Sequence, residues 1–363
     1  MRRDWWMCAA VLALAVFGVL LQVRLAGTVP TLQGLSPLLA GMAVGVAASV
    51  ACGGGRAGRF LEGKGKWIAF GMAVMLLLAL VVFGRRYRGG LYLPGRINPS
   101  ELVKLCLVAF LAGWMGTPGR TTKGLSPRMT QGIVKGLSLC GCLFVLVAVT
   151  GDFGLLAQLA ITVAAMLWAA SWLWGGVAIL SIAGGMALVA SHPAGHLATR
   201  FAVWRDPFGD VTGAGWQTLQ GLTAIVSGGM TGAGFGMGNV QAVPIVASDF
   251  VYAAMAEDLG LAGCFVVLAL WALVLARGIM AAARRTEFAP VEALLATGIV
   301  ASLAVQLVLN VAGVLNALPM TGITLPLISL GGSSQATVLA MSGVLAGVSG
   351  KVSQGKCTRQ CKT

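Results

Sequence analysis

Three carboxylates, Asp249, Glu257 and Asp258, follow a long polar, glycine-rich stretch in a chain that has few charged residues. Only 10% of the residues are charged, 58% are hydrophobic, and the mean hydropathy is +0.89. An ionised side chain at the centre of a membrane helix costs about 2.5–3.5 kcal/mol on insertion scales. Acidic residues in so apolar a chain are expected to serve function or a buried ion pair, so we expect the chemistry within residues 215–263.

Asp249 directly precedes the last part of this region, an apolar run, and has two interpretations. Its carboxylate could act as a general base or as a ligand to a divalent cation. Alternatively, Ser248-Asp249 would suit the N-cap of the following helix, where a side-chain oxygen accepts a backbone N–H bond. A helix over 249–276 would be about 42 Å long at 1.5 Å per residue, so its first turns can project above the hydrocarbon.

Glu101 and Lys104 are a second candidate pair. The sequence Asn98-Pro99-Ser100-Glu101 is typical of a helix start, with Asn98 as the N-cap, proline at N1 and glutamate at N3 in a capping-box arrangement. Lys104 lies three residues after Glu101 on the same helix face, inside an apolar run where a lone ammonium group is unfavourable. We expect an ion pair, which is either purely structural or also lines a substrate cavity.

Arg85, Arg86 and Arg88 are concentrated in the short segment 84–96. One interpretation is a charged loop whose arginines contact lipid headgroups. Another is an anion site for phosphates, because guanidinium groups bind phosphate oxygens through two parallel hydrogen bonds. A wrong topology is a third explanation, against which the other loops argue.

Membrane helices must position these residues, because the chain contains apolar runs close to the length of about 20 residues that crosses a bilayer. We predict an all-α, polytopic helical membrane protein with about ten transmembrane helices and a large outer loop between spans seven and eight. Residues 1–350 would form one membrane domain, and 351–363 a short basic cytoplasmic tail. The predicted spans are 6–26, 35–52, 67–83, 101–115, 132–149, 155–170, 173–190, 249–276, 289–312 and 333–350.

The basic residues predict the orientation, since lysine and arginine are enriched in cytoplasmic loops. With both termini in the cytoplasm, most of the 25 lysines and arginines fall in inner segments. The net charge of +14 is therefore mainly topological. A nucleic-acid partner is not expected, because the charges lie in short loops and not in a basic domain.

Other chemistry has little support in the sequence. The eight cysteines lie mostly in or beside the spans, where cysteine behaves as a small apolar residue, so neither disulfides nor a structural zinc site is expected. His192 and His196 have no carboxylate that would complete a zinc site. The segment 232–238 contains four glycines but neither follows a strand nor opens a dinucleotide-binding helix, so we expect no organic cofactor.

Several motifs, in order along the chain, resemble those of the SEDS family (shape, elongation, division and sporulation; FtsW/RodA/SpoVE type). The stretch from Asn98 to Lys104 is similar to the family's QPSE…K signature, and Gly151-Asp152-Phe153-Gly154 to its PDxG motif. Residues 215–263 resemble its long outer loop and the following helix, and Asn316–Ser334 its last conserved loop. Each motif alone is weak, but together they are highly specific.

The resemblance implies ten spans in the bacterial cytoplasmic membrane and a glycosyltransferase that polymerises lipid II into peptidoglycan outside that membrane. It implies that Asp249 is the catalytic carboxylate, with a divalent cation, Mg²⁺ or Mn²⁺, as a possible cofactor. A class B penicillin-binding protein, which crosslinks the glycan, would be the partner. The candidate substrate-binding residues are Arg85, Arg86, Arg88, Glu101, Lys104, Asp152, Arg200, Gln217, Ser333 and Ser334.

Two other functional classes are compatible with the same residues. One is a transporter that flips lipid II across the membrane through the same cavity and charges. The other is a scaffold without catalytic activity that positions a penicillin-binding protein. A transporter should tolerate the loss of Asp249 when the lipid is already on the outer side, a scaffold should tolerate it in every assay, and a polymerase should not tolerate it.

Overall fold

The fold is described here from a computed structural model of the chain. It describes residues 4–26, 32–87, 90–93, 98–116, 127–170, 172, 175–181, 184, 196–239, 243–244, 246–286 and 289–350. The predicted basic tail, 351–363, and most of the predicted span 173–190 lie outside the described residues.

The described fold is helical, which confirms the predicted class. A short 3₁₀ turn, Gly53–Gly55, and a π-helical turn, Leu61–Gly65, flank one short helix. Each predicted span except 173–190 corresponds to one helix over nearly its whole length. The helices are α1 (Trp5–Ala26), α2 (Leu32–Ala51), α3 (Arg56–Phe60), α4 (Lys66–Phe83), α5 (Ser100–Met115), α6 (Pro127–Thr150), α7 (Phe153–Ala169), α8 (175–181), α9 (His196–Arg205), α10 (Trp216–Gly228), α11 (Val251–Ala283), α12 (Pro290–Val314) and α13 (Gly332–Ser349).

The arginine-rich segment after α4 contains a small antiparallel hairpin. Strand β1 (Arg85–Tyr87) pairs with β2 (Gly90–Tyr92), with Arg85 opposite Tyr92. Its strands are only three residues each, so it adds an extension to the bundle without changing the all-α class.

Four helical stretches are long and apolar enough to cross a membrane by length and composition: Trp5–Ala26, Arg56–Phe83, Val251–Ala283 and Pro290–Val314. Among the shorter helices, 39–51, 136–150 and 153–169 are also apolar. A membrane protein is therefore indicated, and the total of ten spans stays a prediction.

Glycines allow α2 and α13 to pack closely. A Cβ on Gly45 would stand 2.7 Å from the Leu339 carbonyl oxygen, and one on Gly343 would stand 2.0 Å from the Gly45 carbonyl oxygen. Small residues of this kind let membrane helices approach at backbone distance, where van der Waals packing supplies much of the association energy.

Two ion pairs join α1 to α11 at opposite ends and show that the helices run antiparallel. The Arg277 guanidinium donates two 2.7 Å hydrogen bonds to Asp4, and Arg24 Nε lies 2.9 Å from Asp258 Oδ2. Asp4 and Arg24 are roughly 20 residues apart, about 30 Å of helix, which matches the hydrocarbon thickness of a bilayer. Because charges are least unfavourable at the edges of that layer, we assign the two pairs to its two boundaries.

The large loop predicted between spans seven and eight contains two helices, α9 and α10. In α10, Thr218, Gly221, Ala224 and Gly228 recur every three or four residues and are buried. A Cβ on Gly221 would lie 2.5 Å from the Phe250 ring, so this face packs against the start of α11. The glycine-rich composition suggested an irregular loop, but the small residues serve instead as the contact face of a helix.

Candidate functional site

The candidate residues collect at the end of the bundle that carries the Arg24–Asp258 pair. Near Arg24 on α1, Gln22 Nε2 donates a 2.8 Å hydrogen bond to the carbonyl of Ile328, which precedes α13. At the start of α13, Ser333 Oγ accepts a 3.3 Å hydrogen bond from the backbone N–H of Asn98, just before α5. We call this the Arg24 end and the opposite one the Arg277 end.

Asp249 and Arg200 lie next to the same glycine. A Cβ placed on Gly322 would stand 3.7 Å from an Arg200 guanidinium nitrogen and 3.9 Å from Asp249 Oδ2. Gly322 has φ +77°, a conformation that glycine adopts without steric cost. Arg200 also donates a 3.0 Å hydrogen bond to the carbonyl of Thr321. We call Arg200, Asp249 and Gly322 the Gly322 cluster.

The backbone of Asp249 is fixed by α12. Asn310 Nδ2 donates to the carbonyl of Asp249 at 3.1 Å and to that of Ile323 at 2.7 Å, so one amide joins the start of α11 to the loop before α13. Beside it, the N–H of Leu330 donates to the carbonyl of Ala247 at 2.7 Å. The backbone that carries the Asp249 carboxylate is therefore held by hydrogen bonds to α12 and to the loop before α13.

Phe250, and not Asp249, is the N-cap residue of α11, and its side chain makes no capping bond. The N-cap position therefore lies one residue after Asp249, the residue that the alternative interpretation assigned to it. The helix begins at Val251 with its first turn buried, so packing of Phe250 and Val251 supports the helix start.

Glu101 and Lys104 form the predicted ion pair, with Lys104 Nζ 2.5 Å from Glu101 Oε2. The Lys104 side chain is 1% exposed and that of Glu101 is 18% exposed. Lys104 Nζ also donates to Gln158 Oε1 at 3.3 Å and to Gln306 Oε1 at 3.1 Å. A buried ammonium group is thus surrounded by one carboxylate and two amide oxygens, which satisfies its three donors.

The two glutamines extend this cluster towards α13. Gln306 Nε2 donates to Ser334 Oγ at 3.2 Å and to the carbonyl of Thr324 at 3.1 Å, and Gln158 Nε2 donates to the carbonyl of Ser302 at 3.0 Å. Thr324 Oγ1 and Ser334 Oγ are 2.9 Å apart. The Lys104 network, as we call it, comprises Glu101, Lys104, Gln158, Ser302, Gln306, Thr324 and Ser334.

Asp152 lies in the turn between α6 and α7, where its Oδ1 caps α7 by accepting the N–H of Leu155 at 2.9 Å. Burial raises the pKa of the Asp152 carboxyl, and so does the Glu101 carboxylate, whereas the Leu155 bond and the charges of Lys104 and Arg200 lower it. Asp152 therefore lies within electrostatic reach of both the Lys104 network and the Gly322 cluster.

Half of the predicted capping box is present at the start of α5. Asn98 Oδ1 accepts a 3.1 Å hydrogen bond from the N–H of Ser100 and a short one from its hydroxyl, although the helix is bounded at Ser100 with Pro99 as the N-cap residue. Glu101 does not reach back to the cap and pairs with Lys104 instead, because a buried ammonium group without a partner would be strongly destabilising.

The remaining predicted residues lie apart from both clusters or have no described side chain. Gln217 Nε2 donates a 3.4 Å hydrogen bond to the carbonyl of Pro244 in the segment before Asp249. Arg85 is exposed on β1, and Arg86 is described only as a strand residue. Arg88 lies outside the described residues.

Glu257 and Asp258 lie apart from Asp249, and Asp258 takes the second expected role, that of a buried ion pair. Glu257 Oε1 accepts the N–H of Asn239 at 2.8 Å, and Asp258 pairs with Arg24. The first two turns of α11 separate these residues from Asp249 by roughly 10 Å along the helix axis.

Sequence reasoning missed the three amides that organise the site, Gln158, Gln306 and Asn310. All three are 1% exposed. The available signal was their presence inside otherwise apolar runs, since a polar side chain in a membrane helix usually faces a partner within the bundle.

A divalent cation would have few protein ligands here. In the described part of the chain, no group of three or more His, Cys, Asp or Glu side chains could hold a metal ion. Mg²⁺ commonly uses one or two carboxylates and takes its other ligands from water and substrate phosphates. Asp249 fits the role of such a single ligand, and the predicted Mg²⁺ or Mn²⁺ stays a prediction.

The chain is similar to known proteins over most of its length. A family model, FtsW/RodA/SpoVE, described as a cell cycle protein, matches residues 38–354. A peptidoglycan glycosyltransferase RodA of Mycobacterium tuberculosis is 32% identical over 268 residues, covering 71% of this chain and 56% of that protein. The chain therefore spans just over half the length of that relative. An FtsW protein of Halomonas elongata is 34% identical over 301 residues, covering 77% of this chain and 73% of that protein.

Solved structures share the fold. A chain of a peptidoglycan synthase complex that coordinates polymerisation and crosslinking matches with a TM-score of 0.72 and 24% identity, covering 96% of this chain and 98% of that chain. The crystal structure of the rod shape determining protein RodA of Thermus thermophilus matches with a TM-score of 0.63 and 23% identity, covering 96% and 97%. From the match to the family model and the identities to its members, this chain belongs to the FtsW/RodA/SpoVE family of cell cycle proteins.

Proposed function

We propose that this protein is a peptidoglycan glycosyltransferase that polymerises lipid II into glycan strands and releases undecaprenyl pyrophosphate. The observation that carries the proposal is the Gly322 cluster, which brings the Asp249 carboxylate and the Arg200 guanidinium to one point at the end of the bundle. The mycobacterial relative carries the name of this activity, which supports the same assignment.

The two side chains suit the two halves of the reaction. Asp249 would accept the proton of the acceptor sugar's 4-hydroxyl as the hydroxyl oxygen forms a bond to the anomeric carbon of the donor. The bond between that carbon and the pyrophosphate oxygen breaks, and its electron pair leaves with the pyrophosphate. Arg200 would stabilise the negative charge that develops on the leaving group.

The depth of the cluster supports a lipid-linked substrate. Asp249 precedes α11, and Asp258, which we assign to the hydrocarbon boundary, lies about 10 Å further along the helix. A carboxylate at that height is level with the headgroup region, where the pyrophosphate and sugars of a membrane-anchored donor would lie. The Lys104 network, with its buried cation beside a partly exposed carboxylate, would support the Gly322 cluster from the membrane side.

The orientation is part of the proposal. The Arg24 end would face the outside of the bacterial cytoplasmic membrane and the Arg277 end the cytoplasm. The basic residues support it, since Arg56, Arg59, Lys64, Arg277 and Arg285 lie towards the Arg277 end.

A class B penicillin-binding protein is the proposed partner. The support is the fold shared with a chain of a complex that coordinates polymerisation and crosslinking. A divalent cation held by Asp249 and the substrate's phosphates would neutralise charge on the leaving group when bound.

The test is glycan-strand formation from purified lipid II by the full chain, with its penicillin-binding protein partner, in wild-type and Asp249→Asn forms. The variant keeps the size and hydrogen-bonding capacity of the side chain and removes its charge, so we expect folded protein that still binds the partner but makes no glycan. Asp206→Asn is the matched control, because Asp206 is exposed and only supports its own turn.

The outcomes separate the three functional classes. Polymerisation by Asp249→Asn at the wild-type rate would overturn the catalytic assignment. Wild-type protein that makes no glycan but moves lipid II across a vesicle membrane would favour the transporter. Wild-type protein that does neither, while its partner crosslinks only in its presence, would favour the scaffold.

A further inference from the structure

A kink in α11 diverts two helical hydrogen bonds. At Gly260 the backbone has φ +66° and ψ −174°, outside the helical region. In a regular helix, the N–H groups of Leu261 and Ala262 would donate to the carbonyls of Glu257 and Asp258. Here those four groups bond to a different segment of the chain.

The segment that replaces them is Gly229–Gly238, which we call the inserted loop. The N–H groups of Leu261 and Ala262 donate to the carbonyls of Gly229 and Met230 at 3.0 and 3.1 Å. In return, the N–H groups of Ala233 and Gly234 donate to the carbonyls of Glu257 and Asp258 at 2.9 and 3.1 Å. The inserted loop is therefore bonded to α11 on both sides of the kink.

Glycine is required where the two backbones meet. A Cβ on Gly232 would stand 2.3 Å from the Asp258 carbonyl oxygen, and one on Gly260 would stand 2.4 Å from the Gly232 nitrogen. Both residues have positive φ. The glycines of segment 232–238, which superficially resemble a dinucleotide-binding loop, allow the loop backbone to contact the backbone of α11 directly.

These bonds fix the depth of the loop. Asp258 pairs with Arg24 at one boundary of the hydrocarbon layer, and the helix runs from there towards Arg277 at the other. Leu261 and Ala262 lie on the hydrocarbon side of Asp258, so the carbonyls of Gly229 and Met230 would reach at least to the boundary that we assign to the Arg24–Asp258 pair.

The loop has no charged side chain and exposes large apolar ones. Between Val226 and Gly238 the sequence contains no Asp, Glu, Lys or Arg. Val226 is 79% exposed, Met230 67% and Met237 83%. Exposure of this extent is unusual in water but is expected for side chains that face lipid.

The exposed face continues onto α11. Phe265 and Val266, a turn beyond the kink, are 66% and 61% exposed on a helix long enough to cross the membrane. The Met230 carbonyl is hydrogen-bonded to Ala262, about one turn before Phe265, so its exposed side chain lies close to these residues.

The backbone groups of the loop that lie against α11 have protein partners, as a membrane requires of irregular structure. Polar backbone groups at membrane depth need protein partners, because no water is present to bind them. The end of the loop is supported by side chains from α11, since Asp258 Oδ1 accepts the N–H of Gly238 at 3.3 Å and Glu257 Oε1 accepts that of Asn239 at 2.8 Å. The Glu257 and Asp258 carboxylates thus hold the end of the loop in place.

We propose that residues 226–238 form a re-entrant segment that inserts into the lipid leaflet at the Arg24 end, with Met230 and Met237 against the acyl chains. The segment anchors the region between α10 and α11 to the membrane surface and so fixes the height of the Gly322 cluster above it. The inference does not depend on the glycosyltransferase activity.

Nitroxide labels at single cysteines test the proposal in nanodiscs, with the native cysteines replaced. Met230→Cys and Met237→Cys are compared with Phe265→Cys, which faces lipid on α11, and Val211→Cys, which is exposed in the turn after α9. We expect collisions with oxygen to exceed collisions with a water-soluble nickel chelate at 230 and 237, as at 265, and the reverse at 211.

Two results would overturn the proposal. If the nickel chelate reaches 230 and 237 as readily as 211, the segment lies in water. If neither reagent reaches them, protein and not lipid covers the surface. Should either variant misfold, Val226→Cys reports on the same surface, because its side chain is largely exposed and makes no polar contact.

Discussion

The Arg200 guanidinium and the Asp249 carboxylate meet at the position that a side chain on Gly322 would occupy, 3.7 and 3.9 Å from its Cβ. Arg200 comes from α9, Asp249 from the start of α11 and Gly322 from the loop before α13. The absence of a side chain at one residue therefore keeps open the space in which the proposed base and cation, from distant parts of the chain, would act on one substrate.

Replacing this glycine by alanine should reduce activity more than stability. In Gly322→Ala the methyl group would enter the space between the two side chains, and a φ of +77° would add strain of about 1–2 kcal/mol. We expect folded protein whose rate of lipid II polymerisation falls at least about tenfold, the equivalent of 1.4 kcal/mol in the barrier. Glycan-strand length and rate are the measurement.

Gly55→Ala is the matched control for backbone strain. Gly55 has a similar φ, +81°, and a Cβ there would meet only Glu292 Oε1, at 3.9 Å, at the Arg277 end. The control should lose a similar amount of stability and keep its polymerisation rate. Equal losses of activity in the two variants would mean that strain, and not crowding of the cluster, explains the effect.

The Glu101–Lys104 pair should behave as one unit in a double-mutant cycle. Removing one member of a truly buried pair typically costs about 3–5 kcal/mol, because the other is left without its partner. We expect each single alanine variant to lower the thermal unfolding midpoint by more than half the effect of the double variant. Strict additivity would show that the two charges do not interact.

Asp4 and Arg277 supply the comparison pair at the opposite end. Their side chains are 12% and 30% exposed, so water screens them more than it screens Lys104. Pairs of this kind are worth about 0–1 kcal/mol. The same cycle on Asp4→Ala and Arg277→Ala should therefore show a smaller coupling than the Glu101–Lys104 cycle.

The spans could be predicted because hydropathy is a property of consecutive residues. Runs such as 6–26 and 289–312 are long and apolar enough to indicate membrane helices whatever their neighbours are. The corresponding helices begin and end within a few residues of these predicted bounds. The kink at Gly260 could not be predicted in this way, since it depends on a backbone that arrives from Gly229–Gly238. Glycine content indicated close approach but not the partner.

The site was predictable where one short segment carries both partners. Glu101 and Lys104 are three residues apart, so their pairing follows from helix geometry. By contrast, the proximity of Arg200 to Asp249, and of Gln158 to Gln306, depends on how separate helices pack. No spacing along the chain contains that information.

Asp152 should make stability depend on pH. Because burial raises its pKa above the usual 3.8, the folded protein binds this proton more tightly than the unfolded chain does. Stability should therefore rise as the pH falls through the raised pKa towards 3.8, and the charged form should destabilise the fold at neutral pH. Asp152→Asn keeps the cap of α7 and removes the charge, so its unfolding midpoint at pH 7 should be at or above that of wild type.

The measurement is the unfolding midpoint of both proteins from pH 4 to pH 8, with Asp206→Asn as an exposed control. The difference between wild type and Asp152→Asn should shrink as the pH falls, whereas the control should follow wild type throughout. A lower midpoint for Asp152→Asn at neutral pH would show that the carboxylate is needed in its charged form.

The arginines of segment 84–96 should contribute to substrate binding and not to the chemical step. Arg85 is exposed on β1 at the Arg24 end, away from the Gly322 cluster but on the same side of the membrane layer. Exposed charge pairs are worth up to about 1 kcal/mol each, so replacing Arg85, Arg86 and Arg88 by glutamine should raise the KM for lipid II about threefold to tenfold with little change in kcat.

The equivalent triple change of Arg56, Arg59 and Lys64 removes the same charge at the Arg277 end and should leave KM unchanged. An unchanged KM in the variant of Arg85, Arg86 and Arg88 would return these arginines to contacts with lipid headgroups. An equal rise of KM in both triple variants would mean that net charge, and not this segment, governs substrate use.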